Sequence, residues 1–490
     1  MKKINTNKKI CFVGGGIMSL TLAVLINEIF KKKIEINLIE RLASCGLESS
    51  DALNNAGTGH AGYCELNYTP VDEKKQVNIN RALDINENFE ASLIFWAYLD
   101  KKYPFFNTKK FLRKTPHISF VTGKKNVEFL KKRYKQLKKQ PLFKEIFYTE
   151  KIELIAKWTP LLLKGRKNFN YLAATKVNHG TDINFGELTN QLLSILKKND
   201  NFALLVNSEV KTIKQRKDSA YKITVHNSKT NKKIDIASNY IFLGSGGKTI
   251  SMLQDMKLDE ANGYAGFPIS GKWLICNKAE LIKMHNAKVY TQVTDGAPPM
   301  SIPHLDLRVI NDKKLLLFGP FAGFSPKLLK HGSFLDFPKS IKLNNIVPMT
   351  IVLFKNFSLL LYLIKQTLMN HTSRIKELQK FYPEANLGDW KLLTAGQRVQ
   401  IIKNCPFEGS KLEFGTEVIY SKNRKLAALI GASPGASVAV SSMLDVFVNF
   451  FGSEEKKIRD IIPSYKLKLN DNPSILKKIR GKTYKYLGLW

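Results

Sequence analysis

The feature that most constrains this chain lies near its start, where the apolar run Ile10-Cys-Phe-Val13 leads into Gly14-Gly-Gly16 and then Ile-Met-Ser19-Leu-Thr-Leu-Ala-Val-Leu-Ile. A second apolar run, Ile34-Glu-Ile-Asn-Leu-Ile39, follows and ends in Glu40-Arg41. The order is strand, glycine turn, helix, strand, acid. Gly14 permits a tight turn, Gly16 lets backbone approach a pyrophosphate, and the helix N-terminus offers free amides and a partial positive charge. Glu40, 24 residues beyond Gly16, suits a ribose diol, and Ser19 at the third glycine position is small enough for close helix–strand packing. The pattern predicts a dinucleotide held by Gly14, Gly16, Ser19, Glu40 and Arg41, and leaves NAD and FAD both open.

Two more glycine turns follow apolar strands. They are Ile241-Phe-Leu-Gly244-Ser-Gly-Gly247 and Leu429-Ile-Gly431-Ala-Ser433-Pro434-Gly435-Ala-Ser, the latter followed by a helical run at Val438–Phe451. A sheet begun at residue 10 and completed near 430 brackets everything between as insertions. That arrangement predicts an α/β chain of the large flavoprotein kind, with a helix N-terminus near the isoalloxazine.

Composition narrows the class. The chain has 490 residues and a net charge of +36, and its five scattered cysteines contain no C-x-x-C pair or other metal-ligand spacing. No metal is expected. The charge suits an anionic surface or reflects lysine enrichment spread over the whole chain. No nucleic-acid reader motif accompanies it, and nucleic acid is not an expected partner. The most apolar stretch, Ile346 to Ile364, contains Pro348, Lys355 and Asn356 and is expected as a buried helical pair or a monotopic surface element rather than a span. Residues 124–145 read as a surface helix, and the basic 451–490 tail, with its terminal Trp490, suits either a solvated helix or an anionic bilayer.

The stretch Glu48-Ser49-Ser50-Asp-Ala-Leu-Asn-Asn55-Ala-Gly57-Thr58-Gly59-His60, continuing to Pro70, resembles the malate:quinone oxidoreductase family. So do Tyr264–Pro268, Gly296–Arg308, Phe318–Gly332, Ala395–Lys403 and Gly431–Ser437, in the same order. The resemblance runs from about residue 10 to 470 and implies a Rossmann-like, glycine-rich two-domain flavoprotein with a mixed α+β substrate domain. It implies FAD as cofactor, oxidation of (S)-malate to oxaloacetate, and electron delivery to membrane quinone in the tricarboxylic acid cycle and respiratory chain. It further implies a cytoplasmic enzyme held peripherally on the inner face of the cell membrane, against an anionic lipid surface. The expected domains are 1–75, 175–260 and 390–450 for FAD, and 76–174 and 261–389 for substrate.

Oxidising a 2-hydroxy acid requires a hydride acceptor, a base for the hydroxyl proton and cations for the carboxylates. His304, beside a proline-rich turn, is the first candidate base and His60 its rival. Arg308, four residues on along a strand, shares a face with His304 and has the fork to clasp a carboxylate; Lys327 and Arg398 are candidates for the second. Ser49, Ser50, Asn55, Gly57, Thr58 and Gly59 are expected around the pyrophosphate or flavin ring, with Gly57 and Gly59 offering amides, and Gly244, Gly431, Ser433, Pro434 and Gly435 complete the expected cofactor set. Two rival readings are a 2-hydroxy-acid oxidase or dehydrogenase with another acceptor, and a basic non-catalytic binding protein on the same fold.

Overall fold

The computed structural model describes residues 8–292, 303–405, 409–431 and 435–490. Lys8–Val13 is the central strand of a six-stranded sheet, parallel to Ile34–Ile39 on one side and Tyr240–Leu243 on the other. Phe202–Leu205 and Leu426–Gly431 extend the parallel set, and antiparallel Thr416–Tyr420 closes one edge. Register decides the site: Val13 is level with both Ile39 and Leu243, so the Gly14, Glu40 and Gly244 turns leave the sheet at one edge. All 14 residues of the Ile17–Phe30 helix are buried, mostly apolar ones against the core, with Glu28 accepting from Tyr98 and Tyr103 and paired with Lys102. It packs against the helices Phe185–Lys197 and Ala439–Phe451.

A nine-stranded sheet forms the second layer, its long strands Ala265–Cys276, Lys313–Phe324 and Lys391–Cys405 pairing antiparallel. The strand Lys391–Cys405 was expected in the third cofactor-domain segment, but its hydrogen bonds run to Ala265–Cys276, so the chain changes sheet between 413 and 416 instead of at 390. Leu172–Val177 likewise belongs to the larger sheet. Apolar alternation marks a strand without revealing its partner.

The surface helix expected over 124–145 spans only Lys124–Leu137, with Val127, Leu130 and Leu137 buried as its spacing predicts and Arg133 buried beside them; a short helical turn at Pro141–Phe143 follows. The C-terminal helix Pro473–Leu487 is docked rather than free. Arg480, buried, meets Glu90 at 2.7 Å and donates to the Leu142 carbonyl; Tyr484 donates to Glu90, and Trp490 Nε1 donates to the Arg480 carbonyl. These bonds fix the tail to the long helix Asn80–Lys102.

The apolar 346–364 stretch departs from a buried pair. Helices Ile346–Lys355 and Phe357–Leu368 meet at 82°, and only Pro348, Val352, Leu359 and Leu363 among their residues are buried. No single described helix is long and apolar enough to cross a membrane.

The Arg480–Glu90 pair yields a stability prediction. Glu90→Ala leaves Arg480 as an uncompensated buried charge, and urea unfolding is expected to register a loss of about 3–5 kcal/mol; an unchanged midpoint would show that the tail is not anchored through this pair.

Candidate active site

The glycine-turned strand ends open into a cavity of about 420 Å³ that runs to the 54–60 loop and to the strand bearing Arg398. Gly14, at φ +97°, is irreplaceable on two counts: an L side chain is strained there, and a Cβ would lie 2.6 Å from the Gly244 carbonyl oxygen. A Cβ on Gly15 would meet Cys45 Sγ at 2.4 Å. Backbone therefore forms the cavity wall. Gly16 caps the Ile17–Phe30 helix without a side-chain cap of its own, although Ser50 Oγ accepts from the Ile17 amide at 3.0 Å. The Ser50 hydroxyl proton is still available to a phosphate oxygen.

Glu40 folds its carboxylate over the turn. Oε2 accepts from the Gly15 amide at 2.7 Å and Oε1 from the Leu42 amide at 2.8 Å, while Arg41 pairs with Glu48 at 3.1 Å. Both oxygens keep a lone pair for a ribose diol. Gln397 Oε1, on the opposite wall, is buried without a partner among the described residues. A cavity with glycine backbone on one side, an acid at the second strand end and an orphan buried acceptor on the other fits FAD.

The 54–60 loop rests on a buried ionic network. Arg308 donates from Nη1 to the Asn55 carbonyl at 2.6 Å and from Nη2 to the Ile183 carbonyl at 3.2 Å, and its Nε lies 2.7 Å from Asp182. Lys288 donates to the Ala56 carbonyl at 2.9 Å and lies between Asp182 at 2.9 Å and Asp306 at 3.5 Å. The Ile183 amide takes the Gly57 carbonyl at 2.6 Å. Three successive loop carbonyls are thus held from behind by two cations and an amide. Within the network, two carboxylates match the two cations, all four side chains fully buried.

Two histidine–carboxylate pairs adjoin the loop. His60 lines the cavity, and its Nδ1 lies 2.6 Å from Glu65 Oε1. Burial pushes the Glu65 carboxyl up, but the hydrogen bond and charge of His60 outweigh it, and the carboxyl falls to about 2. His304 is buried, stacked on Tyr290 at 4.2 Å and 3°, with Nδ1 2.9 Å from Asp306. Burial lowers the His304 pKa against the opposing charge of Asp306, so its imidazole is neutral at neutral pH. Tyr290 also shares a 2.8 Å hydrogen bond with Thr58.

The expected site residues divide accordingly. Gly14, Gly16, Glu40, Arg41, Ser49, Ser50, Asn55, Gly57, Thr58, Gly244, Gly431, Gly435, His60 and Arg398 line the one cavity. Ser19, Gly59, Lys327, His304 and Arg308 do not. Ser19 is a packing residue: a Cβ on Gly244 would meet its Oγ at 2.3 Å. Gly59 packs against Thr181 and Phe89, and the Gly57 and Gly59 amides, expected to face a flavin ring, donate instead to Asn55 Oδ1 and the Thr181 carbonyl. Arg308 holds the loop and has no free fork for a carboxylate. Lys327 lies over the Phe334 ring, 4.6 Å from its centroid. Ser433 and Pro434 lie outside the described residues. Arg398 is different. Its guanidinium stands 6.0 Å from the Trp273 ring and makes no ion pair with a described residue. Burial lowers its pKa, the mark of a cation in a partly dry wall. No group of three or more His, Cys, Asp or Glu among the described residues could hold a metal.

Sequence reasoning missed Glu65, Asp182, Lys288, Tyr290 and Asp306. Glu65 is five residues beyond His60, and Asp306 lies between His304 and Arg308 on the same face of one strand, so both were within reach of the sequence; Asp182, Lys288 and Tyr290 come from other strands.

Fold and cavity together define an FAD-dependent oxidoreductase of the glycine-rich two-domain class. Solved structures share the fold: glycine oxidase from Geobacillus kaustophilus superposes with a TM-score of 0.58 at 13% identity, covering 92% of this chain and 96% of that one. L-alpha-glycerophosphate oxidase from Mycoplasma pneumoniae, solved with FAD bound, gives 0.56 at 16% identity, covering 91% and 94%. The family model described as malate:quinone oxidoreductase matches residues 6–489, and the chain belongs to that family. It is 47% identical over 492 residues to a probable malate:quinone oxidoreductase of Tolumonas auensis, covering 98% of each chain. A probable malate:quinone oxidoreductase of Flavobacterium johnsoniae is 44% identical over 490 residues, covering 99% of this chain and 98% of the relative.

Buried histidines set an acid limit. His117, His179, His285 and His304 all have pKa values lowered by burial, that of His117 to about 4. The unfolded chain binds their protons first, so stability is lost as pH falls below about 6.5, and His117 alone accounts for about 3 kcal/mol by pH 4. Urea midpoints measured between pH 7.5 and 4.5 are expected to fall steadily; a flat profile would contradict the burial of these rings.

Proposed function

We propose that this protein oxidises (S)-malate to oxaloacetate and passes the electrons to a membrane quinone. The observation that carries the substrate class is Arg398, a cation without an acidic partner among the described residues, lining the same cavity as the glycine turns and His60, which is paired with Glu65. Its planar fork suits bidentate binding of a carboxylate, which lysine cannot reproduce. FAD would be held by the Gly14–Gly16 turn, Glu40, Ser50 and Gly244, and would supply a hydride acceptor for malate C2 and a store of the electron pair.

The chain's own residues supply the proton chemistry. With Nδ1–H directed at Glu65, the His60 Nε2 lone pair faces the cavity and receives the malate hydroxyl proton as the carbonyl forms. Glu65 holds the tautomer and stabilises the imidazolium. His304 is assigned the supporting role: through Tyr290 and Thr58 it backs the loop rather than touching substrate. This reverses the order of the two histidines expected from sequence. Gly57 and Thr58 present backbone to the cavity while the ionic network behind them prevents the loop from yielding.

Quinone is a lipid-dissolved acceptor, so the reading includes peripheral attachment to an anionic lipid surface on the inner face of the cell membrane.

Two variants test the assignments. His60→Ala is expected to retain flavin, judged by visible absorbance, while anaerobic bleaching by malate slows at least about a hundredfold, the usual scale of acid–base effects; normal bleaching in it, with slow bleaching in His304→Ala, would return the role to His304. Arg398→Lys is expected to raise the malate KM by at least about tenfold, equivalent to about 1.4 kcal/mol, and an unchanged KM would remove Arg398 from substrate binding. Strong NAD reduction by the wild-type enzyme, with no reduction of a soluble quinone, would sink the functional reading itself.

A further inference from the structure

Segment 334–368 stands apart from the rest of the surface. Of the 24 large apolar side chains exposed among the described residues, 13 fall within these 35 positions. Leu343, Val347, Phe354, Phe357, Leu361 and Leu368 are the principal ones, at 96%, 62%, 74%, 53%, 51% and 78% exposed. A folded protein in water rarely leaves so much contiguous apolar surface bare unless something covers it. The inner side of the bent helix pair is conventional: Val352, Leu359 and Leu363 pack on Ala265, Phe267 and Ile402 of the larger sheet. Its outer side faces no described part of the chain.

The charge pattern identifies the cover. No Asp or Glu occurs between Asp336 and Glu377, whereas Lys339, Lys342, Lys355 and Lys365 all lie in that stretch and are exposed. Asp336 itself is buried against Lys248. Apart from Asp255, 3.7 Å from Lys342, the margin of this apolar face is cationic, which complements an anionic bilayer, where lysine stems lie along the apolar region and the ammonium groups reach the headgroups. At 10 and 12 residues, with an 82° bend, the two helices are about 15 and 18 Å long, too short to cross the roughly 30 Å hydrocarbon layer but suited to lying in its surface.

We infer that the helix pair 346–368, with the 334–343 segment leading into it, is the element that docks this enzyme on an anionic lipid bilayer and sets the cavity close to the lipid from which its acceptor comes. The inference rests on the quinone reading above and gives it a location. Ile402, under the helix pair, and Val399, in the cavity wall, are three residues apart in one strand, about 10 Å. Leu329, also in the cavity wall, precedes exposed Phe334 by five residues. The basic C-terminal tail offers a smaller apolar face: Arg480 and Tyr484 are buried against the protein, and of its large apolar side chains only Tyr486 and Trp490 are exposed, Trp490 while donating to the Arg480 carbonyl.

The test is flotation of purified, FAD-loaded protein with vesicles of phosphatidylcholine alone or with about 30% phosphatidylglycerol, comparing wild type with the double variant Phe354→Asp/Leu361→Asp. Both positions face outward, so the substitutions open no cavity. Wild type is expected to bind the anionic vesicles, more weakly in high salt, and the double variant at least tenfold more weakly. Malate oxidation with a soluble dye is expected to be equal in the two proteins, while reduction of quinone dissolved in the vesicles falls in the variant. A second measurement, independent of variant folding, places an environment-sensitive dye on Leu361→Cys in a Cys405→Ser background, the other cysteines being buried; its emission is expected to shift blue with anionic vesicles. Wild type that ignores the vesicles, a double variant that binds them equally, or one that changes only from dimer to monomer in sedimentation would each overturn the inference. Vesicle binding without malate oxidation would uphold docking and overturn the functional reading alone.

Discussion

The structure depends on a buried ionic lattice in which Lys288 and Arg308, matched by Asp182 and Asp306, hold the carbonyls of Asn55 and Ala56 from behind. The 54–60 loop has no strand of its own and borders the cavity with glycine and small side chains. Its internal bonds are few, Gly57 N–H to Asn55 Oδ1 and His60 N–H to the Thr58 carbonyl among them. Charged donors in a dry interior bind carbonyls strongly, and the two opposing carboxylates offset the cost of burying them. The cations come from the larger sheet, so the same lattice joins the two layers at the point where substrate and cofactor would meet.

A division of labour follows. Behind the loop, charge is fully paired and holds position; on the cavity side, Arg398 has no acidic partner among the described residues. His60 and His304 show the same split, for each has a carboxylate at Nδ1, yet only His60 lines the cavity. The same pair chemistry thus stands in two different settings, one at the cavity and one behind the loop.

The outer surface extends this logic. The helix pair 346–368 packs one side on the larger sheet and leaves the other bare, an arrangement that is costly in water and favourable at a lipid boundary. Its apolar run on its own does not distinguish a buried pair from an interfacial one, since both require the same residues; the direction in which Phe354 and Leu361 point is settled by what the sheet already covers.

What the sequence determined by itself was the cofactor half: glycine turns after apolar strands, an acid at the end of the second strand, and small residues where helix and sheet meet. Gly14, Gly16, Glu40 and Gly244 were legible because local backbone geometry permits few other residues there. The catalytic half was less so. Arg308 and Arg398 are alike as sequence, each a single arginine in a strand, and only the tertiary structure decided that one braces a loop while the other faces the cavity. Asp306 had a local signature in its period-2 spacing between His304 and Arg308, whereas Lys288 and Asp182 had none, because a buried charge is specified by its partners, and theirs are brought together from separate strands by folding.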